Sequence, residues 1–271
     1  RFDLTKAGDV EDVFEKYRPE YVFNAAAKVG GIHANDIYPA EFINDNLRIQ
    51  TNIINACHDY GVRKLLFLGS VCIYPKFAPV PVKEEYLLSG ELEPTNQWYA
   101  IAKIAGIKMC QAFRKQYKDD FISVMPCNLY GVNDNFHPTN SHVIPALIRR
   151  FVDAKEKRLP SVTCWGTGNA RREFLYVDDM ADACIFLMNN YSSDQIINIG
   201  YGDDCTIRQL VEFIADVVGY DGKIEWDTTK PDGTPRRVLS SDKLFAMGWK
   251  PSVSLRDGLT KAVEWYKLNV K

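Results

Sequence analysis

Short apolar runs alternate with longer segments of helical periodicity along the first half of the chain. The segments Glu20–Ala26, Lys64–Gly69 and Phe121–Gly131 have the length and apolar character of buried strands. Helical patterns lie between them, at Pro39–Gly61 and at about Thr95–Tyr117. Strands and helices that alternate at this spacing predict an α/β fold, in which a doubly wound parallel sheet is covered by helices on both faces.

The start of the sequence departs from a complete domain of this kind. A Rossmann-like domain begins with a strand and a glycine-rich turn, which holds the cofactor pyrophosphate at a helix N-terminus. No G-x-x-G-x-x-G pattern opens this sequence, and the segment Arg1–Phe23 reads instead as a strand end, a helix and a strand. We therefore expect a Rossmann-like sheet whose N-terminal βαβ unit, roughly 30–40 residues, is missing.

The pattern changes after Gly131, where a polar loop leads into a segment with shorter elements. A helix is predicted near Val143–Ala154, and the stretch SVTCWGTGNARREFLYV resembles two strands around a hairpin turn at WGTGN. We predict a nucleotide-binding domain over residues 1–135, rejoined by elements from the 170–200 region. Residues 136–271 are predicted to form mainly a smaller, mixed α/β lobe that shapes a substrate pocket.

Composition argues against several classes of function. Lys and Arg number 33 against 35 Asp and Glu, so the net charge of −2 gives no basic excess for nucleic acid or a membrane surface. No apolar run is long enough to span a bilayer. The seven cysteines are scattered without a C-x-x-C pair, so no zinc site is predicted. A reducing, cytoplasmic setting is the simplest interpretation.

One group of residues carries the elements of acid–base chemistry. Tyr99 and Lys103 lie four apart in a predicted helix and therefore share a face. We expect the lysine ammonium to lower the pKa of the phenol, so that the phenol can exchange a proton with a substrate oxygen. Ser70 ends a strand at the sheet edge where ligands bind, and its hydroxyl could hold the same oxygen. Alone, Y-x-x-x-K is also common as an ordinary surface pair.

Several longer segments resemble a known family. The chain is similar to extended short-chain dehydrogenases/reductases of the NAD-dependent epimerase/dehydratase superfamily that act on nucleotide sugars. Within that family it resembles the 3,5-epimerase-4-reductases of GDP-4-keto-6-deoxy-D-mannose. The likeness runs from about Leu4 to the C-terminus and rests on the segments AAAKVGGI, FLGSVCIYP, EPTNQWYAIAKIAGIK, NLYG, DNFHPTNSHVIPALIRRF, WGTGNARREF and KPDGTPR.

The resemblance implies two kinds of chemistry in one site. Family members epimerise C3 and C5 of a 4-keto sugar and then reduce the C4 ketone with NADPH to give GDP-L-fucose. The reduction is implied to use Ser70, Tyr99 and Lys103, and the epimerisation to use Cys72 and His142 for proton exchange. From the residues alone, Cys72 could be a small buried residue and His142 could make a local hydrogen bond at a helix N-terminus.

The resemblance also implies two sets of binding residues. For the cofactor, NADP(H), they are Leu68, Gly69, Ser70, Val71, Lys103, Pro126, Cys127, Asn128, Leu129 and His142. For the GDP-sugar substrate they are Arg150, Trp165, Arg172 and Asp232, where arginines suit the diphosphate charge.

Family members pair as homodimers through two long helices, which correspond here to about Pro39–Tyr60 and Thr95–Tyr117. Two alternative functions stay open at this point. One is an epimerase and reductase for another GDP-deoxysugar. The other is an inactive, truncated relative that only binds nucleotide sugars.

Overall fold

The computed structural model describes residues 2–138, 141–230 and 232–271, with the backbone alone at residues 32 and 33. In chain order the elements are α1 (Ala7–Tyr17), β1 (Tyr21–Asn24), α2 (Ile32–Ile37), α3 (Pro39–Asp59), β2 (Lys64–Leu68), α4 (Gln97–Tyr117), β3 (Phe121–Pro126), β4 (Asn128–Tyr130), α5 (Val143–Glu156), β5 (Ser161–Trp165), β6 (Arg171–Arg172), β7 (Phe174–Tyr176), α6 (Val177–Asn190), β8 (Ile197–Ile199), β9 (Cys205–Thr206), α7 (Ile207–Val218), β10 (Lys223–Asp227), β11 (Arg236–Arg237), α8 (Asp242–Ala246) and α9 (Leu255–Asn269). Among the described residues, no helix is both long and apolar enough to cross a membrane.

The largest sheet has the strand order β1-β2-β3-β8, and its strands are parallel throughout. Parallel strands are normally buried on both faces, and β2 and β3 are buried along almost their whole length rather than at alternate residues. Helices α3 and α4 pack against each other and against this sheet. The prediction of a Rossmann-like, doubly wound α/β fold is therefore confirmed.

The buried apolar residues form two clusters. One surrounds the parallel sheet and includes Leu66, Phe67 and Val124. The other lies among α5, α7 and α9 and includes Phe151 and Leu210. Since each amphipathic helix buries its apolar face in one of these cores, the cores fix the orientation of the loops at the ends of the strands.

Two local predictions differ from the structure. Helix α4 begins at Gln97, and Asn96 rather than Thr95 occupies the N-cap position. The segment WGTGN does not turn a hairpin: β5 pairs in parallel with the distant β10 over five residues, whereas β6 pairs with β9 and β11. The hairpin prediction is wrong because β5 forms its five-residue ladder with β10, a strand far away in the sequence. A pattern of neighbouring residues contains no information about such a distant partner.

Helix α4 approaches the sheet closely at Gly106. A Cβ atom added there would overlap the ring of Phe67 and lie 2.8 Å from Oε1 of Gln50, whose Nε2 donates to the carbonyl of Ala102 at 2.6 Å. A glycine inside a helix costs about 1 kcal/mol in propensity, so this position exchanges helix stability for close packing.

We expect Gly106→Ala to lower the free energy of unfolding by about 1–3 kcal/mol, because overpacking outweighs the gain in helix propensity. The measurement is urea unfolding followed by circular dichroism. The matched control is Gly8→Ala in α1, where an added Cβ meets nothing within 4 Å, and this variant should be neutral or stabilised. Equal behaviour of the two variants would contradict close packing at Gly106.

Candidate active site

The chain makes a tight turn where β2 ends at the carboxyl edge of the parallel sheet. The amide of Gly69 donates to the carbonyl of Val124 at 2.8 Å, which holds the turn against β3. Ser70 then caps a short 3₁₀ turn over Val71–Ile73, and its Oγ accepts from the amide of Cys72 at 3.2 Å. The turn therefore presents Ser70 and Cys72 at the edge where ligands bind in open parallel sheets.

Helix α4 places Tyr99 and Lys103 beside this turn. Lys103 is 3% exposed, and its Nζ donates to the carbonyl of Leu68 at 2.8 Å. The same Nζ lies 5.8 Å from the centroid of the Tyr99 ring, and the Tyr99 hydroxyl is hydrogen-bonded to Ser70. The structure thus brings Ser70, Cys72, Tyr99 and Lys103 into one cluster.

The electrostatics of this cluster differ from the expectation that Lys103 lowers the pKa of Tyr99. Burial raises the pKa of Tyr99 well above its usual range, Cys72 acts in the same direction, and the hydrogen bond with Ser70 opposes the shift. Burial also lowers the pKa of Lys103 to about 8. The expectation fails because both groups lose water, and the ammonium is directed at a backbone carbonyl. Tyr99 is consequently a neutral phenol at neutral pH, which makes it a proton donor.

The sulfur of Cys72 has a partner that the sequence did not reveal. Nδ2 of Asn96 donates to Sγ of Cys72 at 3.3 Å, and Oδ1 of Asn96 is buried without a hydrogen bond among the described residues. In the sequence Asn96 was hidden in the approach to α4, where asparagine is an ordinary helix-cap residue. Its amide orients the thiol and leaves one acceptor free for a hydroxyl donor.

His142 occupies the N-cap of α5 and is exposed. The carbonyl oxygen of the preceding Ser141 lies only 3.3 Å from a Cβ built at Gly31, in the loop that follows β1. Burial raises the pKa of the nearby Asp134, and its hydrogen bond with the Asn135 backbone and the proximity of His142 oppose that shift. The segment therefore crosses the carboxyl edge of the sheet, but none of the described contacts joins His142 to Cys72.

The residues predicted to bind the cofactor follow neighbouring strands. Leu68 to Val71 follow β2, and Pro126 to Leu129 span the end of β3 and the start of β4. The polar groups at this edge have hydrogen-bonding capacity left over. The Lys103 ammonium has three N–H donors, and one described hydrogen bond, to the carbonyl of Leu68, involves it. At the end of β1, Asn24 is 2% exposed and neither atom of its amide has a described partner. The edge therefore retains buried hydrogen-bonding capacity for a dinucleotide.

Three of the four residues predicted to bind substrate surround the end of β5. Trp165 is 67% exposed there, and Nη1 of Arg150 donates to the carbonyl of Thr163 at 3.0 Å. The two carboxylate oxygens of Asp232 accept from the amide and the hydroxyl of Thr167, each at 2.7 Å. Exposed aromatic and charged groups close together on a loop-rich edge suit a nucleotide base and sugar.

The fourth residue, Arg172, lies on β6, where it pairs in register with Arg237 of β11. Its Nη2 lies 3.6 Å from a Cβ built at Gly233, next to Asp232. Burial lowers the pKa of Arg172, and the neighbouring charge of Arg237 lowers it further. Arg237 in turn donates from Nη1 to the carbonyl of Val71 at 3.2 Å.

A buried carboxylate holds the backbone around β6. Glu173 is 1% exposed, and its oxygens accept from the amides of Gly202 at 2.8 Å and Leu239 at 3.0 Å. Burial raises the pKa of this carboxyl. Sequence reasoning missed Glu173 and Arg237, since both stand in charged runs that are usually solvated surface. The doublets Arg171–Arg172 and Arg236–Arg237 were the available signal.

Comparison with known proteins agrees with this geometry. The family model described as "NAD dependent epimerase/dehydratase family" matches residues 1–200. The match covers well over half of the chain and includes the strand ends, the turn at Ser70 and the Tyr99–Lys103 pair. The chain therefore belongs to the NAD dependent epimerase/dehydratase family.

Within this family the chain is similar to GDP-L-fucose synthases. It is 61% identical over 268 residues to "GDP-L-fucose synthase 1" of Arabidopsis thaliana, which covers 99% of this chain and 83% of that protein. It is 53% identical over 276 residues to "GDP-L-fucose synthase" of Escherichia coli (strain K12), with 98% and 86% covered. Among solved structures, a GDP-L-fucose synthetase from Naegleria fowleri bound to NADP superposes with a TM-score of 0.92 at 29% identity, covering 99% of this chain and 84% of that one.

The lowered pKa of Lys103 predicts a specific dependence of stability on pH. Between pH 8 and the ordinary lysine value of 10.5, the unfolded chain holds a proton that the folded chain has released. Stability contributed by this group therefore rises across that window by up to about 3 kcal/mol. The stability of Lys103→Met relative to the wild type should therefore fall as the pH rises from 7 to 10.5, because only the wild type gains stability across that window.

The measurement is chemical unfolding of both proteins at several pH values between 7 and 10.5. Lys108→Met changes an exposed lysine on the same helix and should follow the wild type throughout. A constant difference between Lys103→Met and the wild type would show that the ammonium is not desolvated.

Proposed function

We propose that this chain catalyses the GDP-L-fucose synthase reaction. GDP-4-keto-6-deoxy-D-mannose is epimerised at C3 and C5 and then reduced at C4 with NADPH, giving GDP-L-fucose. The observation that carries the proposal is the cluster of Ser70, Cys72, Tyr99 and Lys103 at the carboxyl edge of a parallel sheet. This cluster combines the donors that a ketone requires with a thiol that a simple reductase would not need.

NADP(H) is the proposed cofactor, and the unused polar groups at the sheet edge support its binding there. The residues that would hold it are Leu68, Gly69, Ser70, Val71, Lys103, Pro126, Cys127, Asn128, Leu129 and His142. When bound, NADPH supplies the hydride that reduces the C4 ketone.

Epimerisation requires a proton to leave a carbon beside the ketone and another to return on the opposite face. Loss of the proton moves negative charge onto the C4 oxygen, where Ser70 and Tyr99 can donate hydrogen bonds to it. We assign the proton exchange at carbon to Cys72 and His142, since thiol and imidazole groups suit proton transfer near neutral pH. Asn96, which donates to Sγ of Cys72, keeps the thiol in place during this exchange.

Reduction creates an alkoxide at C4 that needs a proton. Tyr99 is suited to provide it, because burial keeps its phenol protonated. The phenolate formed in that step is stabilised by the nearby ammonium of Lys103. Ser70 accepts from the Cys72 amide and bonds to Tyr99, so it fixes the hydroxyl of Tyr99 beside the same oxygen.

The nucleotide half of the substrate is assigned to the second lobe. Trp165 offers an exposed ring for stacking, and Asp232 offers acceptor oxygens for a ribose or a base edge. Arg150 and Arg172 carry the positive charge for the diphosphate. The two separate cores support our assignment of residues 1–135, with elements of 170–200, to the NADP domain and of 136–271 mainly to the substrate lobe.

Two variants should separate the two half reactions. Cys72→Ser should lower the exchange of solvent deuterium into C3 and C5 by roughly 10²–10⁴-fold, which is the usual contribution of a positioned acid or base. Tyr99→Phe should lower NADPH oxidation by a similar factor, because it removes the proton donor for the alkoxide. Both are measured after adding GDP-4-keto-6-deoxy-D-mannose, by mass spectrometry of the sugar and by absorbance of NADPH.

The matched control is Cys205→Ser, another half-buried cysteine, on β9, which should leave both rates unchanged. Undiminished exchange in Cys72→Ser would remove the thiol from the mechanism, and full turnover in Tyr99→Phe would remove the reductase assignment. Turnover of a different GDP-keto-sugar would identify an enzyme for another GDP-deoxysugar. Binding of GDP-sugar without binding of NADPH would identify an inactive relative.

We also propose that the protein is a homodimer that pairs through α3 and α4. Trp98 and Ile101 support this pairing, because both are 39% exposed and lie one turn apart on α4. The double substitution Trp98→Glu/Ile101→Glu should convert a dimer to a monomer in sedimentation velocity, since it buries charge in the interface. Leu268→Glu on α9, where the side chain is 83% exposed, is the control. A monomeric wild type, or a double variant that stays dimeric, would contradict the proposal.

A cytoplasmic location is proposed on the basis of cysteine chemistry. All seven cysteines are free thiols in the structure, and five of them are buried. Free thiols in this number are typical of proteins that stay in a reducing compartment.

A further inference from the structure

The two arginine doublets are arranged so that one face of a small sheet is neutralised and the other is not. Strands β6 and β11 are parallel, with Arg171 opposite Arg236 and Arg172 opposite Arg237. Successive residues of a strand point to opposite faces, so the register places two arginines on each face.

On the first face a buried carboxylate neutralises both arginines. The side chain of Asp204 is 1% exposed, and its carboxylate accepts from Nη2 of Arg171 at 2.5 Å and from Nε of Arg236 at 2.6 Å. The charges on this face are therefore satisfied within the protein.

On the second face, Arg172 and Arg237 form no ion pair with a carboxylate among the described residues. Nη1 of Arg172 donates to the carbonyl of Arg171 at 2.7 Å, whereas Arg237 reaches the carbonyls of Val71 at 3.2 Å and of Pro75 and Lys76 at 3.4 Å. Each guanidinium has five N–H donors, so both retain donors for another ligand. Burial lowers the pKa of Arg172, and the adjacent charge of Arg237 lowers it further.

This uncompensated pair lies between the two parts of the proposed site. Arg237 contacts the backbone of Val71, which adjoins Cys72, and Arg172 faces Gly233, which adjoins Asp232. In a nucleotide sugar, the diphosphate lies between the sugar and the nucleoside. Two adjacent, half-buried guanidinium groups bind an anion with two or more negative charges most favourably.

We propose that Arg237 binds the diphosphate of the nucleotide sugar together with Arg172, and that its contacts with residues 71–76 link diphosphate binding to the turn that carries Cys72. The inference rests on the proposed function for the identity of the sugar nucleotide, but it concerns the diphosphate alone. Arg237 thereby becomes a binding residue of the substrate lobe that also positions the catalytic turn.

The test compares the affinities of GDP and GMP by calorimetry. Arg237→Met should weaken GDP binding roughly 10- to 100-fold and GMP binding much less, because a charge-assisted bond to the second phosphate is lost. Arg172→Met should do the same. The matched control is Arg236→Met, on the same strand but the opposite face, which should leave the ratio of the two affinities unchanged.

Arg237→Lys is a second variant, which retains the positive charge but loses the planar guanidinium group. It should lower the ratio of GDP affinity to GMP affinity by less than Arg237→Met does. Thermal unfolding establishes that each variant is folded. A variant that loses turnover but keeps its GDP affinity would overturn the inference, because Arg237 would then act only on the turn.

UDP separates this inference from the proposed function. A wild type that binds UDP but not GDP, with the same dependence on Arg237, would overturn the GDP-sugar assignment. It would support the inference that Arg172 and Arg237 bind the diphosphate. If the wild type binds GDP and neither Arg237→Met nor Arg237→Lys lowers the affinity for GDP, diphosphate binding by Arg237 is overturned. The proposed function is then unaffected. Failure to bind either nucleotide would overturn both.

Discussion

The hydrogen bond from the Lys103 ammonium to the carbonyl of Leu68 joins the two elements on which the site depends. It ties α4 to the end of β2, and the close approach of the helix at Gly106 makes this contact possible. Tyr99 then lies beside Ser70, and Asn96 at the start of the helix reaches Sγ of Cys72. Without this docking, the donors for the ketone and the thiol would belong to separate surfaces.

The same docking sets the protonation states of the site. Burial disfavours charge on both the phenol and the ammonium, so Tyr99 stays protonated and the pKa of Lys103 falls to about 8. A protonated phenol suits the step in which an alkoxide must gain a proton. The lysine contributes when charge develops on the phenol, and it need not hold a phenolate in the resting protein.

Polar contacts help to join the substrate lobe to this centre, beside the apolar packing of Leu239, Leu244 and Trp249 in the core of the sheet. Arg237 reaches three carbonyls of the segment 71–76, and Glu173 accepts from the amides of Gly202 and Leu239. A junction built from backbone carbonyls and guanidinium groups responds to an anion in a way that an apolar junction would not. Binding of the nucleotide end can therefore influence the turn at Cys72.

The sequence by itself determined the alternation of strands and helices, the parallel sheet and the residues that carry the family resemblance, because these depend on local periodicity and short motifs. Ser70, Tyr99 and Lys103 were predicted to meet because a strand end and the next helix are neighbours in such a sheet. Only the tertiary structure decided that β5 pairs with β10, that Asn96 contacts Cys72, and that Arg237 opposes Arg172. Each of these contacts joins residues 24 to 65 positions apart, and their energies depend on burial and register that no local pattern records.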